Sequence, residues 1–116
     1  MKRLSNATFL TGSEDNTIKI LNQHDGKIIR TLTGHTYAMI SVEYSSNNKY
    51  IISVSNDSTI KIWDPTNEEL VKTISDRDEF IYNACLSFDN KYIVSTSGKN
   101  IKIWDAKNGE LIKTLQ

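Results

Sequence analysis

The hexapeptide "TIKIWD" at Thr59–Asp64 alternates polar and apolar positions, and the alternation returns as "NIKIWD" from Asn100 and "TIKILN" from Thr17. A period of two sends successive side chains to opposite faces of a β-strand. The neighbouring runs "YIISVSND" and "YIVSTSG" are rich in Ile, Val, Ser, Thr and Tyr, which suits the same reading. Between the runs stand clusters of turn formers: "QHDGK", "SNNK", "SNDS", "DPTNEE", "FDNK", "SGKN" and "AKNGE". Nowhere does an apolar stripe of period 3.6 extend far enough for a helix of about ten residues. The pattern predicts eleven strands. Three lie at Thr8–Ser13, Thr17–Asn22 and Lys27–Leu32. Four follow at Ala38–Ser45, Lys49–Ser55, Thr59–Asp64 and Glu69–Ile74, and four more at Ile81–Phe88, Lys91–Ser97, Asn100–Asp105 and Glu110–Leu115.

These strands fall into a repeat. Trp63 and Trp104 stand 41 residues apart, and Leu21 precedes Trp63 by 42. A period of about 40–45 residues fits a unit of four strands. Residues 33–74 form a complete unit, residues 75–116 a complete but divergent one, and residues 1–32 a unit lacking its opening strand.

The middle unit reads "GHTYAMISVEYSSNNKYIISVSNDSTIKIWD": Gly-His opens it, Trp-Asp closes its third strand, and an Asp stands six residues before the Trp. This resembles a WD40 repeat, the blade of a β-propeller, and the resemblance covers the whole chain. It implies an all-β fold, a partial propeller of four-stranded antiparallel blades. It also implies a hydrogen-bonded chain from Trp63 to Ser53, His35 and Asp57. The chemistry is coherent, because indole has only a donor while Ser and His both donate and accept. In the first unit Thr11 and Asp15 hold the Ser and Asp places, but Leu21 replaces the Trp. In the third, Ser95 and Trp104 are kept, Asp76-Arg77 replaces Gly-His, and Gly98 stands near the Asp place. The full network is therefore expected in one blade only, with the flanking blades held mostly by apolar packing.

Ser53, His35 and Asp57 are also the residue types of a hydrolase triad, and a small serine hydrolase is the rival reading. No G-x-S-x-G elbow accompanies them, and Ser53 sits inside a strand, so the network is expected to be structural and the chain non-catalytic. His24 and His35 are the only histidines and no Cys-x-x-Cys exists, so neither a metal nor another cofactor is expected. His24, in a hairpin turn, should be solvated. Cys85 falls on a strand where small residues pack, and burial is expected for it. It would be reactive only if exposed beside positive charge.

The resemblance implies a scaffold or adaptor that binds proteins or peptides, on the face bearing the inter-blade loops and the starts of the first strands. That face would carry Tyr37, Ala38 and Ile40 from the middle unit, Glu79, Phe80 and Tyr82 from the third, and Asn56 and Glu14 before the turn aspartates. Fourteen Lys+Arg balance fourteen Asp+Glu, which argues against nucleic acid as a partner on that face. No apolar run is long enough for a membrane helix, and a single cysteine suits the cytoplasm or nucleus. A propeller closes with about 4–8 blades. The reading favoured is thus a segment of a larger WD40 propeller. Self-association into a ring ranks second, and completion of another protein's ring third.

Overall fold

β-Branched residues alternating with polar ones form strands only where one face finds a partner, and here the partner is the next sheet. A computed structural model describes residues 2–3, 8–12, 15–35, 39–45, 49–76 and 80–116. No helix occurs among the described residues, and twelve strands make three antiparallel sheets of four. The first blade holds β1 (Lys2–Arg3), β2 (Thr8–Gly12), β3 (Ile18–Asn22) and β4 (Ile28–Leu32). The second holds β5 (Met39–Tyr44), β6 (Ile51–Ser55), β7 (Thr59–Asp64) and β8 (Glu69–Ser75). The third holds β9 (Ile81–Leu86), β10 (Tyr92–Ser97), β11 (Ile101–Asp105) and β12 (Leu111–Leu115).

All eleven expected strands are present, within two residues at most of their bounds. The expected limits Ser13 and Ala38 lie outside the described residues. The first blade corrects the sequence reading. Its opening strand is not missing: among the described residues Lys2 lies opposite Leu10 and Arg3 opposite Phe9.

Two apolar seams join the blades. Leu10, Ile18, Ile20 and Leu32 of the first blade close over Ile51 and Trp63 of the second. The opposite face of the second blade, with Ile52, Val54, Ile60, Ile62 and Ile74, closes over Ile81, Ala84, Leu86, Ile93 and Trp104 of the third. Each such side chain taken fully from water is worth about 1.5–3 kcal/mol. The sheets thus stack in one sense: the second and third present their tryptophan faces backward, and the first and second present isoleucine-rich faces forward. The forward face of the third blade repeats that of the second: Val94, Ile101, Ile103 and Leu115 occupy the places of Ile52, Ile60, Ile62 and Ile74. Ile60 and Ile74 are 0% and 3% exposed, whereas Ile101 and Leu115 are 43% and 39% exposed.

The hairpin between the third and fourth strands is built the same way in every blade. The register shifts at Ile20/Leu21, at Ile62/Trp63 and at Ile103/Trp104, a bulge just before the turn. The turn then needs a residue with left-handed backbone, filled by Gly26 (φ 70°), Glu68 (φ 62°) and Gly109 (φ 76°). A Cβ at Gly109 would lie 2.9 Å from Cε of Lys72 in the second blade, the far end of a flexible side chain that can move aside, so the backbone rather than space favours glycine there.

Candidate functional site

The register fixes which residues share an end of the blades. Met39 opposes Ser55 and Thr59 opposes Ser75, so the start of β5, the β6–β7 turn and the approach to β9 meet at one end, here called the upper end. The β5–β6 and β7–β8 turns, and their third-blade counterparts, lie at the other.

At the upper end of the second blade the polar chain is assembled. Trp63 Nε1 donates to Ser53 Oγ at 2.9 Å, and Ser53 Oγ lies 2.5 Å from His35 Nε2. The hydroxyl accepts the indole proton, so its own proton goes to Nε2, leaving Nδ1 of a neutral imidazole protonated. Nδ1 stands 3.7 Å from Asp57 Oδ2 and 3.4 Å from Thr59 Oγ1. Asp57 thus stands beside the imidazole, at a distance longer than an ordinary direct hydrogen bond. It also ties down its own turn, accepting from Thr59 N at 3.0 Å and from the Thr59 hydroxyl. Burial pushes the His35 imidazole below its usual range. Asp57 opposes that shift, and Lys61 reinforces it. Gly34 precedes His35 because a Cβ there would stand 2.9 Å from Trp63 Cη2. Gly-His is therefore one device: the glycine lets the chain touch the indole, and the histidine reaches the serine behind it.

This arrangement orders Ser, His and Asp as in a triad, but Ser53 is 0% exposed and already receives the indole proton. A substrate carbonyl has no path to its oxygen.

The third blade keeps the Trp–Ser leg, Trp104 Nε1 donating to Ser95 Oγ at 2.8 Å. Beside it lies what the sequence reading missed. Asp76 is buried and accepts two hydrogen bonds from the buried Lys102 Nζ, at 3.1 and 2.9 Å. The third blade is thus not held by apolar packing alone: a buried ion pair stands beside its Trp–Ser leg. Arg77 lies outside the described residues. Lys19, Lys61 and Lys102 occupy one slot in the three blades, and each finds a different partner. Lys61 donates to Thr73 Oγ1 at 3.1 Å, and Lys19 to Asp15 Oδ2 at 3.0 Å. Asp15 repeats the turn of Asp57, accepting from Thr17 N at 3.1 Å. Thr11, in the serine place, donates to its neighbour Gly12 O at 3.3 Å.

Of the expected contact residues, Tyr37, Ala38, Glu79 and Glu14 lie outside the described residues. Ile40, Asn56, Phe80 and Tyr82 are exposed at the upper end. Phe80 and Tyr82 pack edge to face, their ring centroids 5.1 Å apart. Tyr82 also covers Gly98, whose Cβ position is 3.9 Å from the Tyr82 ring. Ser41 Oγ donates to Asn83 Oδ1 at 3.0 Å, joining the first strands of the two blades beside this pair. His24 is exposed in its turn. Cys85 is exposed as well, against expectation, because it shares the uncovered forward face with Val94. Partial burial and Glu43 push its thiol up, the opposite of activation.

Three sheets stacked in one sense, with a Trp–Ser bond in two of them, define successive blades of a β-propeller. The model of the WD domain, G-beta repeat, matches residues 26–64 and 68–105, and the chain belongs to this WD40-repeat family. Each matched unit begins before the fourth strand of one blade and ends on the Trp-Asp of the next. No curated protein matches the chain. WD40 repeats generally serve protein interaction and are generally non-catalytic.

Proposed function

We propose that the chain is a non-catalytic, protein-binding scaffold segment of a larger WD40 propeller, and that its contact surface is the upper end around Phe80 and Tyr82. The Phe80–Tyr82 pair carries this reading, because the two rings stand 41% and 54% exposed while holding each other in place. Rigid aromatic side chains give large contact area at low entropic cost and are enriched at interfaces. Ile40, exposed at the same end, adds an apolar neighbour. The uncovered forward face of the third blade supports the larger propeller, since it is built like the face that the third blade covers on the second. The lone thiol, Cys85, suits a reducing compartment, the cytoplasm or nucleus.

The test is affinity purification with the wild-type chain beside the F80A/Y82A double variant, with retained proteins identified by mass spectrometry. Proteins held by the wild type and lost from the variant support the surface. An unchanged set refutes it.

A further inference from the structure

At the end of the blades opposite Phe80 and Tyr82, a groove of about 540 Å³ opens between the second and third blades. That volume lies within the range of ligand pockets, about 300–1,000 Å³. Its floor is apolar, made by Ile62, Leu86 and Ala106. Lys72, Lys91 and Lys107 stand around it, with one carboxylate, Asp105, among its walls. Asp105 Oδ1 is engaged by the backbone N–H groups of Lys107 and Asn108, at 2.8 and 3.1 Å. Lys91 has Asp89 nearby, outside the groove. The walls also hold Asn90, whose Oδ1 is buried within the wall and not open to the groove.

The matching place in the first seam shows how this groove acquires its charge. There Arg30, the counterpart of Lys72, lies 3.8 Å from Glu68. In the second seam the counterpart of Glu68 is Gly109, so the repeat supplies no carboxylate to Lys72 at that position.

The geometry points to a second binding site, and we propose that this groove takes an acidic peptide segment carrying an apolar side chain. Two features act at once. The lysines call for carboxylates, and the floor calls for an aliphatic side chain. An extended peptide of interspersed acidic and aliphatic residues supplies both. A nucleic acid would satisfy the lysines but not the aliphatic floor.

The experiment is a two-dimensional amide NMR titration of the full isotope-labelled chain with the peptide Glu-Leu-Glu-Glu-Leu-Glu. The controls are Lys-Leu-Lys-Lys-Leu-Lys and oligothymidylate. The expected result is saturable shifts centred on Lys72, Asn90, Lys91 and Lys107. Affinity should fall about fivefold or more in K91E/K107E, and with added salt, as expected for exposed charge pairs. F80A/Y82A, at the other end, should bind the peptide unchanged, so this site and the upper surface fail or stand separately. Both lysines are exposed, so the charge reversal leaves the fold intact by circular dichroism. No shifts, shifts centred on Ile40 and Tyr82, equal binding by K91E/K107E, or tighter binding of either control would each overturn the proposal.

Discussion

Ser53 and Ser95 hold the same place in two blades yet carry different loads, and replacing each with alanine separates a network from a single bond. In the S53A variant two groups lose their partner: the Trp63 indole N–H, at 2.9 Å, and His35 Nε2, at 2.5 Å. Both sit in a seam where Ser53 and Trp63 are at most 1% exposed, so bulk water cannot replace the hydroxyl. A buried group left unsatisfied costs about 1–3 kcal/mol, which puts S53A at about 3 kcal/mol. In S95A only the Trp104 indole is orphaned, and the same principle gives about 1.5 kcal/mol. Urea unfolding followed by far-UV circular dichroism reads both losses on one scale. A W63F background should then reduce the cost of S53A by about 1 kcal/mol, because one of its two orphans is gone. If S53A and S95A cost the same within about 0.5 kcal/mol, the hydroxyl does not link Trp63 to His35, and the reasoning about a continuous chain fails.

Three further outcomes follow from the same geometry. His35 titrates below its ordinary 6.5 in the folded chain, so the unfolded chain binds more protons in the window below that value. Stability is then full above pH 6.5 and falls as the pH drops toward the folded value, and the slope should vanish in H35Q; urea midpoints at a series of pH values measure it. Asp64 and Asp89, lowered by hydrogen bonds from Thr66 and Ser87, act only below their ordinary 3.8 and do not confuse that window. Asp76→Ala strands the buried Lys102 ammonium and should cost about 3–5 kcal/mol in the same assay, while the apolar pair D76L/K102M recovers most of the loss. Glu68→Gly relieves a left-handed backbone that its counterparts Gly26 and Gly109 adopt without strain, and it should raise stability by about 0.5–1 kcal/mol in thermal unfolding; a loss would show that the Arg30 contact outweighs the strain.

Strands, spacing and the Trp–Ser legs were legible in the sequence because they rest on local alternation and on a copied pattern. The opening strand at Lys2–Arg3 was not, since two residues carry no alternation and do not repeat the sequence of β5 or β9. The Asp76–Lys102 pair was hidden by distance along the chain and by a shortened turn that displaces the histidine place. A signal did exist: lysine fills the same apolar-flanked slot three times, at Lys19, Lys61 and Lys102, and the blade lacking a histidine has an acid nearby. The exposure of Cys85 was missed because its strand resembles β5 in pattern, while its neighbourhood depends on what covers the forward face. The lower groove was illegible for a related reason. It arises where two blades meet, from residues that sit far apart in the sequence.

The phase between repeat and blade has a consequence for how the chain withstands cutting. Strand β4 is laddered to β3 in one blade but continues covalently into β5 of the next. A protease that nicks the exposed turn at Gln23–Gly26 removes a peptide bond without removing the connection. The two products remain clasped through the β3–β4 ladder and the seam of Leu10, Ile18, Ile20 and Leu32 against Trp63. The same holds for the turn at Pro65–Glu68, where β8 stays zipped to β7. Such a chain behaves as overlapped planking rather than as bricks laid end to end: no single break in a hairpin turn coincides with a joint between layers.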